Sequence, residues 1–386
     1  MPTPRPRRTP SPHGSLVRAW VAVVLAGLGC GAAGLLGASL AAQSLAVVLG
    51  PPGADLPWYE AVPLELYLTV REPDLQAPSA PGAAVNFEVL SGDTVSNVAA
   101  KLDSEGHIDD PLLFRLYLRY TGGDRHLVPG IYYLPAGASA RTIADALASG
   151  RGRLRPFTVL PGLRAEEISS SLPGAGLQIL PQDFLDALRR RPGNVSLYSA
   201  IPPQASLEGF LFPDSYLVDP SANADLLVYQ MVTNFDQRVD PTLRSGFEQQ
   251  TLTLYEAVIL ASIIQREVVI PGEMPVVSSV FLNRLARDMP LQSDVTVQYA
   301  IGYVAAENTW WKNPLTSEDL QTPSPFNTYL HNGLPPSPID NPGLTALEAV
   351  AHPAQTNFLY FRAACDGSGR HIFSETYQQH LAAACP

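Results

Sequence analysis

An α+β fold with one N-terminal transmembrane helix is predicted for the 386-residue chain, on three observations. Ala19–Gly50 run 32 residues without a charge. A short strand, glycine turn and amphipathic helix occur twice at a 70-residue offset. Residues 251–269 carry a long helical pattern, and a strand pair is expected near the C-terminus, where Asn357–Phe361 alternates and His371–Phe373 can pair with it.

The N-terminal run exceeds the roughly 20 residues that cross a bilayer. It is also longer than the apolar core of about 7–15 residues in a cleaved signal peptide, so an uncleaved anchor is expected. Residues 1–18 hold Arg5, Arg7, Arg8 and Arg18 and no acid, which places them on the cytoplasmic side. The expected protein is therefore single-pass in the cell membrane, with everything after Gly50 extracytoplasmic. Residues 51–84 are rich in Pro, Ala and Gly and read as a tether, with one strand around Leu64–Val70.

Folding is expected to restart at Val85. Phe87–Gly92 followed by ten residues to Leu102 matches Phe157–Gly162 followed by ten residues to Leu172, and Phe114 and Phe184 keep the offset. The resulting division is a module over 85–150, a second βα copy over 151–200, and a mixed α/β domain over 201–386.

Net charge is −11 overall. Setting aside the four N-terminal arginines leaves 21 basic against 36 acidic residues, or −15, a surface that phosphate backbones avoid. Nucleic acid is excluded as a partner, and uncharged carbohydrate-like ligands are tolerated. Cys30 lies inside the apolar run and reads as a small buried residue. Cys365 and Cys385 are free to pair in an oxidising compartment, which spacing alone does not decide. His331, His352, His371 and His380 are scattered and no Cys/His cluster has zinc spacing, so neither metal nor cofactor is expected.

Within TLTLYEAVILASIIQREVV, Leu254, Val258, Ala261, Ile264 and Val268 recur at the spacing of a buried helical stripe. Thr253 and Glu256 have the spacing of a capping box, which gives Glu256 a structural task. Glu267 lies just before Pro271-Gly272 at the helix C-terminus, where burial and the negative end of the macrodipole both favour the protonated acid. A carboxyl that keeps its proton near neutral pH is what a general acid needs to protonate a sugar oxygen. An exposed Glu in a frayed last turn is the competing reading.

Polar loops rich in Asn, Gln and Tyr follow, mixed with aromatic residues, the composition of a sugar cleft. Gln292, Asp294, Asn327 and Tyr329 are candidate sugar contacts. Glu208 and Tyr216 bound the segment EGFLFPDSY and complete the set, with turn bonding beside Gly209 as the competing role of Glu208. Asn283 and Arg284 fit either a glycan contact or an exposed helical face. Trp310-Trp311 fit either a stacking platform or a loop anchored by buried indoles.

The segment VNFEVLSGDTVSNVAAKLDSEGHIDD resembles a LysM-like module, a glycan-binding unit of cell-wall proteins, with Asp93 or Thr94 suited to cap the helix and Gly92 to make the turn. A plain helix cap in a structural domain explains the same residues. From about Val85 to His380 the chain resembles the MltG family, also called YceG-like, of membrane-anchored endolytic murein transglycosylases. EGFLFPDSY (208–216), LASIIQRE (260–267), FLNRL (281–285), MPLQSD (289–294), FNTYLHNGLPPSPIDNPG (326–343) and FLYF (358–361) carry the resemblance.

The resemblance implies that Glu267 is the catalytic acid, that the MurNAc–GlcNAc β-1,4 bond of nascent strands is cleaved, and that a 1,6-anhydroMurNAc end is left. It also implies proximity to peptidoglycan synthases or division proteins. Many relatives carry Glu where this chain has Gln265, so Glu267 is the sole acid of its motif. Glu256 lies eleven helical residues away, some 16 Å along the axis, and cannot assist it. A non-catalytic wall-binding scaffold and a muramidase-type hydrolase, which needs a second carboxylate roughly 5–9.5 Å away, are the alternatives.

Overall fold

The computed structural model describes residues 49–78, 84–150 and 152–385. The chain divides into two compact units that part between Leu154 and Arg155. Each has its own apolar core.

In the first unit, helices α1 (Trp58–Val70) and α2 (Glu72–Gln76) precede strand β1 (Val85–Val89), helices α3 (Val95–Ser104) and α4 (Pro111–Thr121), strand β2 (Gly130–Leu134) and helix α5 (Ala140–Ser149). Strand β3 (Arg153–Thr158) adds its first two residues beside β2. The expectation of a tether with a strand at Leu64–Val70 is corrected: those residues are helical, and order begins well before Val85. Ala61, Leu68 and Leu75 fall at helical spacing and are buried, which outweighs the bond that Pro63 forfeits inside α1.

Strands β1 and β2 pair antiparallel, with Phe87 opposite Tyr132. Gly92 adopts φ +93° in the turn after β1. Asp93 there accepts a bond from the Leu90 N–H at 2.9 Å, and Thr94 caps α3 by accepting from Asn97 at 3.2 Å.

The second unit opens with the remainder of β3, then α6 (Ala165–Ser171), α7 (Pro181–Arg190) and β4 (Ser215–Val218), which pairs antiparallel with β3. The repeat is thus larger than its sequence signature, because each copy is a strand, two helices and a closing strand. Equivalent residues do equivalent work: Phe157 faces Tyr216 as Phe87 faces Tyr132, and Leu102, Leu172, Phe114 and Phe184 are fully buried. Tyr132 donates its hydroxyl to the Val128 carbonyl four residues back, and Tyr216 does the same to Phe212.

Helices α8 (Ala224–Arg238), α9 (Pro241–Gln249), α10 (Leu254–Glu267), α11 (Met274–Leu285), α12 (Asp294–Ile301) and α13 (Leu344–Ala351) follow. Hairpin β5 (Tyr360–Ala363) and β6 (His371–Ser374) and helix α14 (Tyr377–Ala382) complete the unit. Helix α10 is its central element, packed against α9, α11, α12 and α13. The expected capping box forms, with Thr253 accepting from the Glu256 N–H and Glu256 accepting from the Thr253 N–H at 2.9 Å. Every residue from Ala257 to Ile264 is buried, so α10 is apolar on all sides rather than along one stripe. Phe361 pairs with Phe373 in the terminal hairpin, and Cys365 and Cys385 form a disulfide with Cα atoms 5.4 Å apart.

The predicted anchor and basic tail lie outside the described residues, apart from Leu49 and Gly50. Among the described residues no helix is long and apolar enough to cross a membrane.

Candidate active site at the end of the central helix

The apolar surroundings of α10 leave its last residue in a low-dielectric setting. Glu267 is partly buried, and its pKa is raised from 4.5 to about 7, chiefly by burial and further by the Asp294 charge. The Ser293 hydroxyl, which donates to Glu267 Oε1, and the Arg284 charge oppose that rise. The carboxyl is therefore balanced near neutrality, within reach of both protonation states.

Ser293 is held from three sides. Its N–H donates to Thr328 Oγ1 at 3.0 Å, its carbonyl accepts from Thr296 Oγ1 at 2.7 Å, and the two threonine hydroxyls lie 2.9 Å apart. MPLQSD and FNTYLH are thereby locked to each other beside Glu267. Arg284 fixes the same loop, donating to Leu291 O at 2.8 Å and Pro290 O at 3.3 Å, and reaches Leu359 O at 2.6 Å.

On either side of Ser293, the side chains of Gln292 and Asp294 are exposed. Gln292 sits at φ +46° with its N–H bonded to Thr328 O, and Asp294 accepts from Tyr329 Oη at 2.6 Å. Three of the six expected sugar contacts thus gather at the carboxyl, with polar groups turned outward.

The other three do not. Asn327 is fully buried, donating to Leu320 O and Thr322 O at 3.0 Å and accepting from the Tyr329 N–H. Glu208 is buried as well; its Oε1 accepts from Ala165 N at 2.8 Å and Asn341 Nδ2 at 3.0 Å. Burial raises its pKa to about 8, with the Glu166 charge adding to the shift. Tyr216 spends its hydroxyl on Phe212 O. These three brace the frame and do not join the group gathered at Glu267.

Two further pairs of residues, each open to two readings, are held by other groups of the protein. Asn283 donates to Thr356 O and Phe358 O, and Arg284 is buried, so neither forms an exposed helical face. The indoles of Trp310 and Trp311 are covered by cations: Arg164 lies 4.6 Å from the Trp310 ring and Arg266 lies 3.9 Å from the Trp311 ring.

Sequence reasoning missed Asn341, whose amide joins three loops. Its Oδ1 accepts from Gly209 N at 2.9 Å and Leu211 N at 3.0 Å, and its Nδ2 donates to Leu163 O and Glu208 Oε1. Gln265 was noted only as a departure, yet its Oε1 accepts from Gly343 N at 3.0 Å and holds the following loop to α10. The only sequence signal for Asn341 was its place in a loop motif. Among the described residues no group of three His, Cys, Asp or Glu is arranged to hold a metal.

A partly buried acid at a helix end, braced by two polar loops and balanced near neutrality, is an arrangement suited to general acid–base chemistry. Residues 87–385 match the YceG-like family, and the chain belongs to it. It is 29% identical over 314 residues to an endolytic murein transglycosylase of Bacillus subtilis strain 168, covering 77% of this chain and 82% of that protein. An endolytic murein transglycosylase of Streptococcus pneumoniae serotype 2 is 26% identical over 321 residues, and this chain spans 57% of its length. A crystal structure of a YceG-like protein from Listeria monocytogenes superposes with a TM-score of 0.53 at 26% identity, covering 78% of this chain and 99% of that one.

Proposed function

We propose that this chain is an endolytic peptidoglycan lytic transglycosylase with Glu267 as its catalytic residue. The carboxyl balanced near neutrality at the end of α10 carries the reading. Protonated Glu267 gives its proton to the glycosidic oxygen between MurNAc and GlcNAc as the bond to C1 breaks. The carboxylate then takes the proton of the C6 hydroxyl of the same MurNAc, whose oxygen closes onto C1. Atoms balance without water, and attack within one sugar needs no second reactant to be positioned. Ser293 and Arg284 stabilise the carboxylate between the two steps. The exposure of Gln292 and Asp294, and the bond from Tyr329 to Asp294, support these three side chains as glycan contacts.

The finer features belong to the same proposal. The strand–helix–helix–strand order of residues 85–134 supports a LysM-like, glycan-holding role for the first copy. The uncharged run Ala19–Gly50 supports a single membrane anchor, with the enzyme outside the cytoplasm near peptidoglycan synthases or division proteins.

Full-length protein and its Glu267→Gln variant, incubated with uncrosslinked glycan strands, test the reading by mass spectrometry. Fragments ending in anhydro sugars are expected from the parent and not from the variant. Ends one water heavier would indicate a hydrolase, and absence of fragments with retained binding would indicate a scaffold.

A further inference from the structure

A groove of about 430 Å³ lies between β4 and α8, lined by none of the residues that act on Glu267. Gln230, Thr233, Asn234 and Gln237 recur three and four residues apart, which puts them on one face of α8. Their polar atoms are largely unspent. Gln230 and Gln237 have no side-chain partner among the described residues, and the buried Thr233 hydroxyl has none. Asn234 commits its Nδ2 to Asp214 and Tyr216, at 3.0 and 3.2 Å, leaving its Oδ1 unengaged.

Apolar surface comes from Leu217 of β4 on the opposite wall and from Tyr229, which stands on α8 next to Gln230. Leu217 is 37% exposed and Tyr229 is 39% exposed. The Tyr229 ring backs onto Gly193 so closely that a Cβ there would sit 2.4 Å from the ring, which fixes the ring's position. The lining contains no Asp, Glu, Lys, Arg or His, and the adjacent charges of Asp214 and Arg238 neutralise each other at 3.2 Å.

From this we infer a second glycan-binding subsite, at which the exposed amides of α8 bond sugar hydroxyls and Tyr229 and Leu217 cover a sugar's apolar face. The inference rests on the proposed transglycosylase reading for the identity of the glycan. It explains how a strand would be gripped away from the point of cleavage. A neutral groove favours the sugar backbone over the charged stem peptides that branch from it.

The test measures binding of amidase-stripped, uncrosslinked glycan strands, and separately of free stem peptides, to the full-length Glu267→Gln chain. The double variant Gln230→Ala/Gln237→Ala in that background is expected to bind stripped strands about tenfold more weakly, the effect of losing one or two hydrogen bonds. Hydrogen exchange supplies a readout that needs no groove mutation: amides of residues 229–237 are expected to gain protection when stripped strands are added. Equal affinity of the double variant, no added protection, or protection by free peptides alone would overturn the subsite. Production of anhydro ends by the parent chain is scored independently, so the subsite and the transglycosylase reading can fail separately.

Discussion

Ser293 donates its hydroxyl to Oε1 of Glu267 from 26 residues further along the chain, and this contact opposes the burial that keeps the carboxyl protonated. Asp294, the next residue, acts in the reverse sense through its charge. Adjacent positions therefore tune one acid in opposite directions.

The rate constant kcat/KM is expected to fall on an alkaline limb near pH 7, where Glu267 loses the proton it must donate. Ser293→Ala removes a bond to the carboxylate and should move that limb upward by roughly half to one pH unit. Asp294→Asn removes a repelling charge and should move it downward. Rate profiles for both variants that overlay the parent would show that Glu267 is not the titrating group.

Glu208 is expected to govern stability rather than sugar affinity. Its folded pKa, about 8, lies above the ordinary 4.5, so the folded chain holds more protons between those values and stability falls as pH rises through that window. Both neighbouring donors go to Oε1, which leaves Oε2 to carry the proton. Glu208→Gln keeps an oxygen acceptor and cannot ionise, so its melting temperature should decline less than the parent's between pH 5 and pH 8. A parallel decline of the two curves refutes this.

Asn341→Ala should lower stability by about 3–5 kcal/mol, because it strands buried groups in the Gly209 and Leu163 loops and removes a partner of Glu208. Denaturant unfolding measures the loss. A change under 1 kcal/mol would mean that the three loops hold together without it.

Gly209→Ala meets two penalties at once. The backbone there has φ +89°, and a Cβ would lie 2.5 Å from Pro338 and 2.9 Å from Val258. Strain of about 1–2 kcal/mol and overpacking of about 1–3 kcal/mol add to a marked drop in melting temperature. An unchanged transition would show that the Pro338 loop yields freely.

What the sequence disclosed was what local rules govern. The Thr253–Glu256 capping box, the end of α10 at Glu267 and the 70-residue repeat all depend on residues within a turn or two of each other, and each is found in the structure. What stayed hidden depends on partners remote in sequence. Asn341 and Leu211 are 130 residues apart, and Trp311 meets Glu167 across 144. Asn327 reads as a sugar ligand in a polar loop and becomes a buried brace only when the loop closes upon it. The helix α1 was obscured by Pro63 and by the flanking Pro/Ala composition, which mask the spacing of its buried Ala61, Glu65 and Leu68.

The tie from tyrosine to the carbonyl four residues before it, present at Tyr132 and again at Tyr216, has a consequence for how disorder spreads. Each knot ties its tyrosine to a carbonyl within its own short stretch of chain, and neither draws on the other copy; Tyr216 takes one further bond, from Asn234 Nδ2. Unravelling at one closing strand thus leaves the other knot intact, as a seam stitched in separate lengths runs only as far as the nearest stop.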